Sequence, residues 1–175
     1  MIENETLKVL RDRRSIRKYQ REPITDAELD AILEAGTWAP TGMGKQSPVM
    51  AVVRDPETIA YLSQLNAEIM GKPGTDPFYG APTAVVVLAD SGNPNWLQDG
   101  SLVMGNLMNA AASLGVGSCW INRTMETFDR PEGKALLQKW GLPETLRGVG
   151  TCILGYADGP APEPKPRKAG YIVRV

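Results

Sequence analysis

Apolar residues fall along this chain in two kinds of pattern, clusters at helical spacing and short unbroken runs, and these set the expected order of elements. Leu7 and Leu10 share one side of a helix expected over about 5–11. Thr25-Asp26-Ala27-Glu28 is a capping box, Leu29, Ile32 and Leu33 follow on one face, and Gly36 ends the segment. Val49-Met50-Ala51-Val52-Val53 is short and continuous, which predicts a buried strand. Asp55-Pro56 supplies an N-cap and a first-position proline for a helix over Glu57 to Met70, with Ile59, Leu62 and Ile69 inward. Thr83 to Ala89 predicts the strongest strand, apolar on both faces.

A helix from about Asp99 to Leu114 is rich in Leu, Met and Ala and stops at Gly115. With so few charges it is expected to be buried on most sides, as a central or interface helix. A strand at 117–121, a helix at 131–140 and a strand at 148–156 complete the series. Prolines at 160, 162, 164 and 166 predict a stiff, extended tail that ends in the β-prone residues 171–175. Apolar strands separated by helices predict an α+β fold with the sheet between helical layers, one domain over 1–175.

Composition narrows the chemistry. The net charge of −1 hides an uneven layout: residues 1–21 carry seven Lys/Arg against three Asp/Glu, and residues 161–175 carry four against one. Two basic ends around an acidic body suit an anionic ligand gripped by both termini, and two separate solvated tails have the same composition. The chain has no histidine, which excludes Ser/His/Asp triads and histidine-ligated metals. Cys119 and Cys152 each lie in an apolar run without a CxxC pair, so both are expected to be buried free thiols, as in a reducing cytoplasm. No run approaches the roughly twenty apolar residues of a membrane span, and no membrane partner is expected.

The candidate chemistry starts at Asp12-Arg13-Arg14-Ser15-Ile16-Arg17-Lys18-Tyr19. In an extended chain Arg13, Ser15 and Arg17 share a face, and two guanidinium forks beside a hydroxyl make a receptor for a phosphate monoester. Arg14 and Lys18 then point toward solvent. A basic run also serves as a nucleic-acid arm, but the acidic middle and the lack of any nucleic-acid motif argue against that partner. Two further pieces carry matching polar chemistry: the loop Ala39-Pro40-Thr41-Gly42-Met43-Gly44-Lys45-Gln46-Ser47-Pro48, and Lys165-Pro166-Arg167 in the tail. No GxGxxG follows a strand, so a separate Rossmann nicotinamide site is not expected. Trp96 and the 71–80 loop, with Phe78 and Tyr79, are candidates for substrate cover.

These pieces, in this order, resemble the FMN-dependent nitroreductase family over essentially the whole chain. The match rests on Arg13 to Tyr19, Ala39 to Gln46, Leu114 to Ile121, and Gly155-Tyr156 with the proline-rich tail. The resemblance implies the nitroreductase α+β fold, an obligate homodimer with two FMN sites at the subunit interface, and an NAD(P)H-dependent oxidoreductase. It implies that Arg13, Arg14, Ser15 and Arg17, joined by Lys165 and Arg167, hold the FMN phosphate. It further implies that Pro40, Thr41 and Gln46 reach the flavin from the partner subunit, and that backbone near Trp120, Ile121 and Asn122 approaches the ring. NADH or NADPH is the implied reductant, and a small molecule such as a nitroaromatic or quinone the implied acceptor, reduced by a ping-pong mechanism. A flavin-storage module with little turnover is the alternative. Gly44 stands where the family often has Asn, and no aromatic follows Gln46-Ser47-Pro48, so the loop's side-chain contacts are not carried over.

Overall fold

Local signals set most of the helix starts. In the computed structural model, which describes residues 2–175, the Thr25 hydroxyl accepts from the Glu28 N–H at 3.2 Å and Glu28 accepts from the Thr25 N–H at 2.8 Å. That reciprocal cap opens helix α2 (Asp26–Thr37), which follows the short α1 (Glu5–Asp12). The Asp55 carboxylate accepts from the Thr58 N–H at 2.9 Å, and Pro56 begins α3 (Pro56–Ile69). Helix α4 (Trp96–Ser113) starts three residues before the expected Asp99, because Asn93 folds an Asx-type turn onto the Asn95 N–H at 3.2 Å. Helix α6 spans Pro131–Lys139. Helix α5 (Thr124–Asp129) is not predicted by the sequence pattern: it is six residues long, and its N-cap Arg123 is left-handed with no capping side chain.

Strands β1 (Pro48–Val53), β2 (Thr83–Asp90), β3 (Gly117–Ile121) and β4 (Leu146–Gly155) form one antiparallel sheet in the order β1-β2-β4-β3. The register shifts between Val87 and Leu88, which pair with Gly150 and Gly148, so Val149 is the extra residue of a bulge. Alternation along β2 then divides the interior. Ala84, Val86 and Leu88 join Leu62 of α3, Phe128 of α5 and Leu137 of α6 on one face. Val85, Val87 and Ala89 join Ile32 of α2 and Met104 and Leu107 of α4 on the other. The α+β class with helices on both faces of the sheet is the observed one.

Two expectations are corrected. β1 is not a buried strand but an edge, and its Val52 is 40% exposed; an unbroken apolar run reads the same at an edge as in the centre. The β-prone end, residues 171–175, forms no strand and is exposed, because none of the described residues pairs with it. Cys119 and Cys152 are both buried and free, as expected.

Candidate cofactor site

The basic segment after α1 lies against the sheet. Ser15 pairs with Ser118 in a parallel bridge, the Ile16 N–H donates to the Ser118 carbonyl at 2.9 Å, and the Gln20 N–H donates to the Tyr156 carbonyl at 2.9 Å. This path runs the basic segment beside β3, where Arg17 borders the same cavity as Cys119. Burial pushes Cys119 up, and Arg17, a hydrogen bond from Ser15, and Arg13 pull it back. Cys152 is deeper and is pushed up to about 12 by burial, so both thiols are protonated and packed at neutral pH.

Two cavities share the Arg17 wall. One, of about 280 Å³, is lined by Ser15, Arg17 and Lys18 with Asp158, Pro160 and Pro162 of the tail. The other, of about 420 Å³, lies against the end of β3 and is lined by Cys119, Trp120, Ile121 and Asn122, facing Met70, Lys72 and Tyr79. Arg17, Lys72 and Arg123 border it against a single carboxylate, Asp76, so its field favours an anion. Arg13 lines a third, neighbouring cavity that shares Ile16 with the smaller one. Its Nη1 is buried without a hydrogen-bond partner, as are Ser118 Oγ and Trp120 Nε1. A buried guanidinium nitrogen without a protein acceptor fits an anionic group supplied from outside the chain.

Side chains from elsewhere hold the walls. Asn66 of α3 is buried; its Nδ2 donates to the Asn122 carbonyl at 2.6 Å, and its Oδ1 accepts from Arg123 Nε at 3.0 Å. That pair fixes the turn after β3, where Arg123 has φ 70°. Asp76 accepts from Ser63 Oγ at 2.5 Å, from the Phe78 N–H at 2.9 Å and from the Gly80 N–H at 2.6 Å. It thereby sets the loop that brings Tyr79, itself at φ 56°, to the cavity. Motif reading missed Asn66, Met70, Lys72, Asp76 and Arg123. Only Asn66 carries a legible signal, as a polar residue on the inward stripe of Ile59, Leu62 and Ile69.

The other expected residues lie as follows. Arg14 is turned to the end of α1, where Nη1 donates to the Arg11 and Arg13 carbonyls at 2.7 and 2.8 Å. Lys18 pairs with Asp158 at 2.7 Å and ties the basic segment to the start of the tail. Beyond that point Lys165 and Arg167 are exposed and, among the described residues, make no ion pair or hydrogen bond. A single chain therefore does not bring them to Arg13, since the proline-rich segment finds no pairing edge. Pro40, Thr41 and Gln46 line none of the cavities described above. Their loop holds its own shape, with Thr41 Oγ1 accepting from the Gln46 N–H at 3.0 Å. Of the candidates for substrate cover, Tyr79 borders the larger cavity, whereas Trp96 packs 5.2 Å from the Arg147 guanidinium.

A sheet between helical layers, with a cationic cleft at one strand end and an unpartnered guanidinium beside it, defines a protein class built to hold an anionic cofactor. The chain belongs to the nitroreductase family, whose model matches residues 10–156. It is 35% identical to an Archaeoglobus fulgidus protein named NADH dehydrogenase/NAD(P)H nitroreductase, across 87% of this chain and 85% of that one. It is 28% identical to the Bacillus subtilis FMN reductase [NAD(P)H], across 93% and 70% of the two chains. A crystal structure of a nitroreductase with bound FMN from Bacteroides fragilis superposes with a TM-score of 0.92 at 34% identity, covering 99% of this chain and all of that one.

Proposed function

We propose that this protein is an FMN-dependent oxidoreductase that takes reducing equivalents from NAD(P)H and passes them to a small acceptor, a nitroaromatic or a quinone. The buried, unpartnered Arg13 Nη1, two residues from the Ser15–Ser118 bridge and next to the cavities that Arg17 lines, carries this reading. Bound FMN supplies the hydride and electron transfer; the protein supplies orientation, charge and access. Arg13, Ser15 and Arg17 hold the phosphate. Asn66 holds the turn at Asn122, which would present the Trp120–Asn122 backbone to the flavin ring. Lys72 and Tyr79 border the space left for reductant and acceptor. The NAD(P)H-linked name of the Bacillus subtilis relative supports the choice of reductant.

One open flavin face, bordered by Lys72 and Tyr79, is proposed to serve reductant and acceptor in turn, so steady-state kinetics are expected to be ping-pong. The purified protein is expected to be yellow, to release FMN on denaturation, and to show parallel double-reciprocal lines with a quinone acceptor. Release of FAD, or a protein that FMN cannot reconstitute, rejects the cofactor. Intersecting lines reject the shared face, and FMN binding without NAD(P)H consumption makes the protein a flavin store.

The site is proposed to be completed by a second copy of the chain, with Pro40, Thr41 and Gln46 facing the partner's flavin and the tail carrying Lys165 and Arg167 across. Apolar surface supports this. Trp38 and Met43 are each 79% exposed, and Leu97 and Leu102 of α4, the β1 edge, and Ile172 and Val173 of the tail are also uncovered. A mass of two chains is expected at micromolar concentration. A monomer that keeps tightly bound FMN overturns the shared site.

A further inference from the structure

Asp99 is a carboxylate in the first turn of a helix otherwise poor in charge, and it is only 3% exposed. It takes part in none of the ion pairs among the described residues. Its oxygens accept from neutral donors: Oδ1 from the Gly42 N–H at 2.9 Å, and Oδ2 from Asn93 Nδ2 at 3.1 Å. The same Asn93 nitrogen donates to Ser47 Oγ at 2.9 Å. One buried carboxylate thus reaches both ends of the 42–47 loop, directly at Gly42 and through Asn93 at Ser47. The approach is close, since a Cβ on Gly42 would lie 2.3 Å from Asn95 Nδ2.

Between the two anchors the backbone is strained. Met43 has φ 55° and Gln46 φ 50°, both in the left-handed region that side chains other than glycine avoid. Such backbone persists only where the surroundings over-determine it. A buried charge without a cation also opposes stability. Both costs fall on one exposed loop, the pattern expected where position is kept for function.

We infer that Asp99 is a positioning residue of the cofactor site. It fixes the loop in the shape in which Thr41 and Gln46 meet the flavin held by the partner subunit, and it touches neither cofactor nor substrate. This inference rests on the FMN-dependent function proposed above.

The test uses the full-length protein, with FMN affinity from flavin fluorescence, the visible circular dichroism of bound flavin, turnover at saturating FMN, and melting of the apoprotein. Asp99→Ala is expected to weaken FMN binding by roughly tenfold or more, as for a lost hydrogen bond to a charged group. It is also expected to alter the visible dichroism and to keep a lowered kcat that excess FMN does not restore. Asp99→Asn retains an acceptor for the Gly42 N–H but sets its amide nitrogen against Asn93 Nδ2, so it is expected to recover part of the affinity lost in Asp99→Ala while the visible dichroism stays altered. Native affinity and dichroism in Asp99→Ala, with only a lower melting temperature, make the residue merely structural and overturn the inference. If Asp99→Ala does not fold, Ser47→Ala decides, because it cuts the far anchor and strands no charge. A changed dichroism in that variant supports the clamp, and native affinity with native dichroism rejects it. Failure of the native protein to bind FMN defeats the proposed function and this inference together, whereas native-like variants of an FMN-binding protein defeat the inference alone.

Discussion

Arg13→Ala is expected to bind FMN roughly ten- to a hundredfold more weakly than the native protein, because a charge-assisted hydrogen bond to phosphate contributes about 1.5–3 kcal/mol. The Nη1 atom of Arg13 is buried without a protein partner, so a phosphate there would meet a donor already withdrawn from water. Removal of the side chain takes away the phosphate's donor and leaves the sheet intact, so the apoprotein's melting temperature is expected to hold. Turnover is expected to return at saturating FMN, because Arg13 does not line the cavity at the end of β3 where the chemistry is proposed to occur. Isothermal titration with FMN, followed by activity against FMN concentration, checks both halves. Unchanged affinity rejects the phosphate assignment. Arg167→Ala is a companion test of the tail, because Arg167 is exposed in the single chain and influences FMN affinity only if the tail reaches the phosphate.

A loss of stability coupled to the site is expected from a side chain at Gly148. A Cβ there would lie 2.2 Å from the Thr124 carbonyl oxygen and 2.4 Å from its carbon, and a backbone neighbour cannot rotate away. Gly148→Ala must therefore push α5 off β4, at a cost of about 1–3 kcal/mol for overpacking. For a chain of this size each kcal/mol lowers Tm by roughly 2–4 °C. Thr124 directly follows the Asn122–Arg123 turn that borders the larger cavity, so FMN affinity is expected to fall with stability. That pairing separates this variant from Arg13→Ala, in which affinity alone changes. Thermal melts of the apoprotein with a parallel FMN titration check it, and an unchanged melting temperature contradicts the clash.

How much of this was legible depended on the range of the interaction that decides each feature. The capping box at Thr25–Glu28 and the Asp55-Pro56 start act within one helical turn, and both helices begin where those residues stand. Helix α5 has no cap and only six residues; burial of Thr124, Thr127 and Phe128 holds it against the sheet, a contact that no local pattern reports. The apolar run Val49–Val53 specifies a strand but not its place at the sheet edge, because strand order is a long-range property. Asn66 could have been noticed as a polar interruption of an apolar stripe. Its partners, the Asn122 carbonyl and Arg123, lie 56 and 57 residues away and are chosen by packing alone.

The sequence by itself determined the α+β class, every α-helix and β-strand except α5, and two buried thiols, all consequences of short-range sterics and periodicity. Tertiary structure decided where the clustered cations go. It turned Arg14 back onto α1, paired Lys18 with Asp158, and left Lys165 and Arg167 exposed without an ion pair among the described residues. It also decided that one buried carboxylate, Asp99, reaches across 57 residues to the Gly42 N–H, because a hydrogen bond depends on where packing delivers donor and acceptor, not on their separation along the chain.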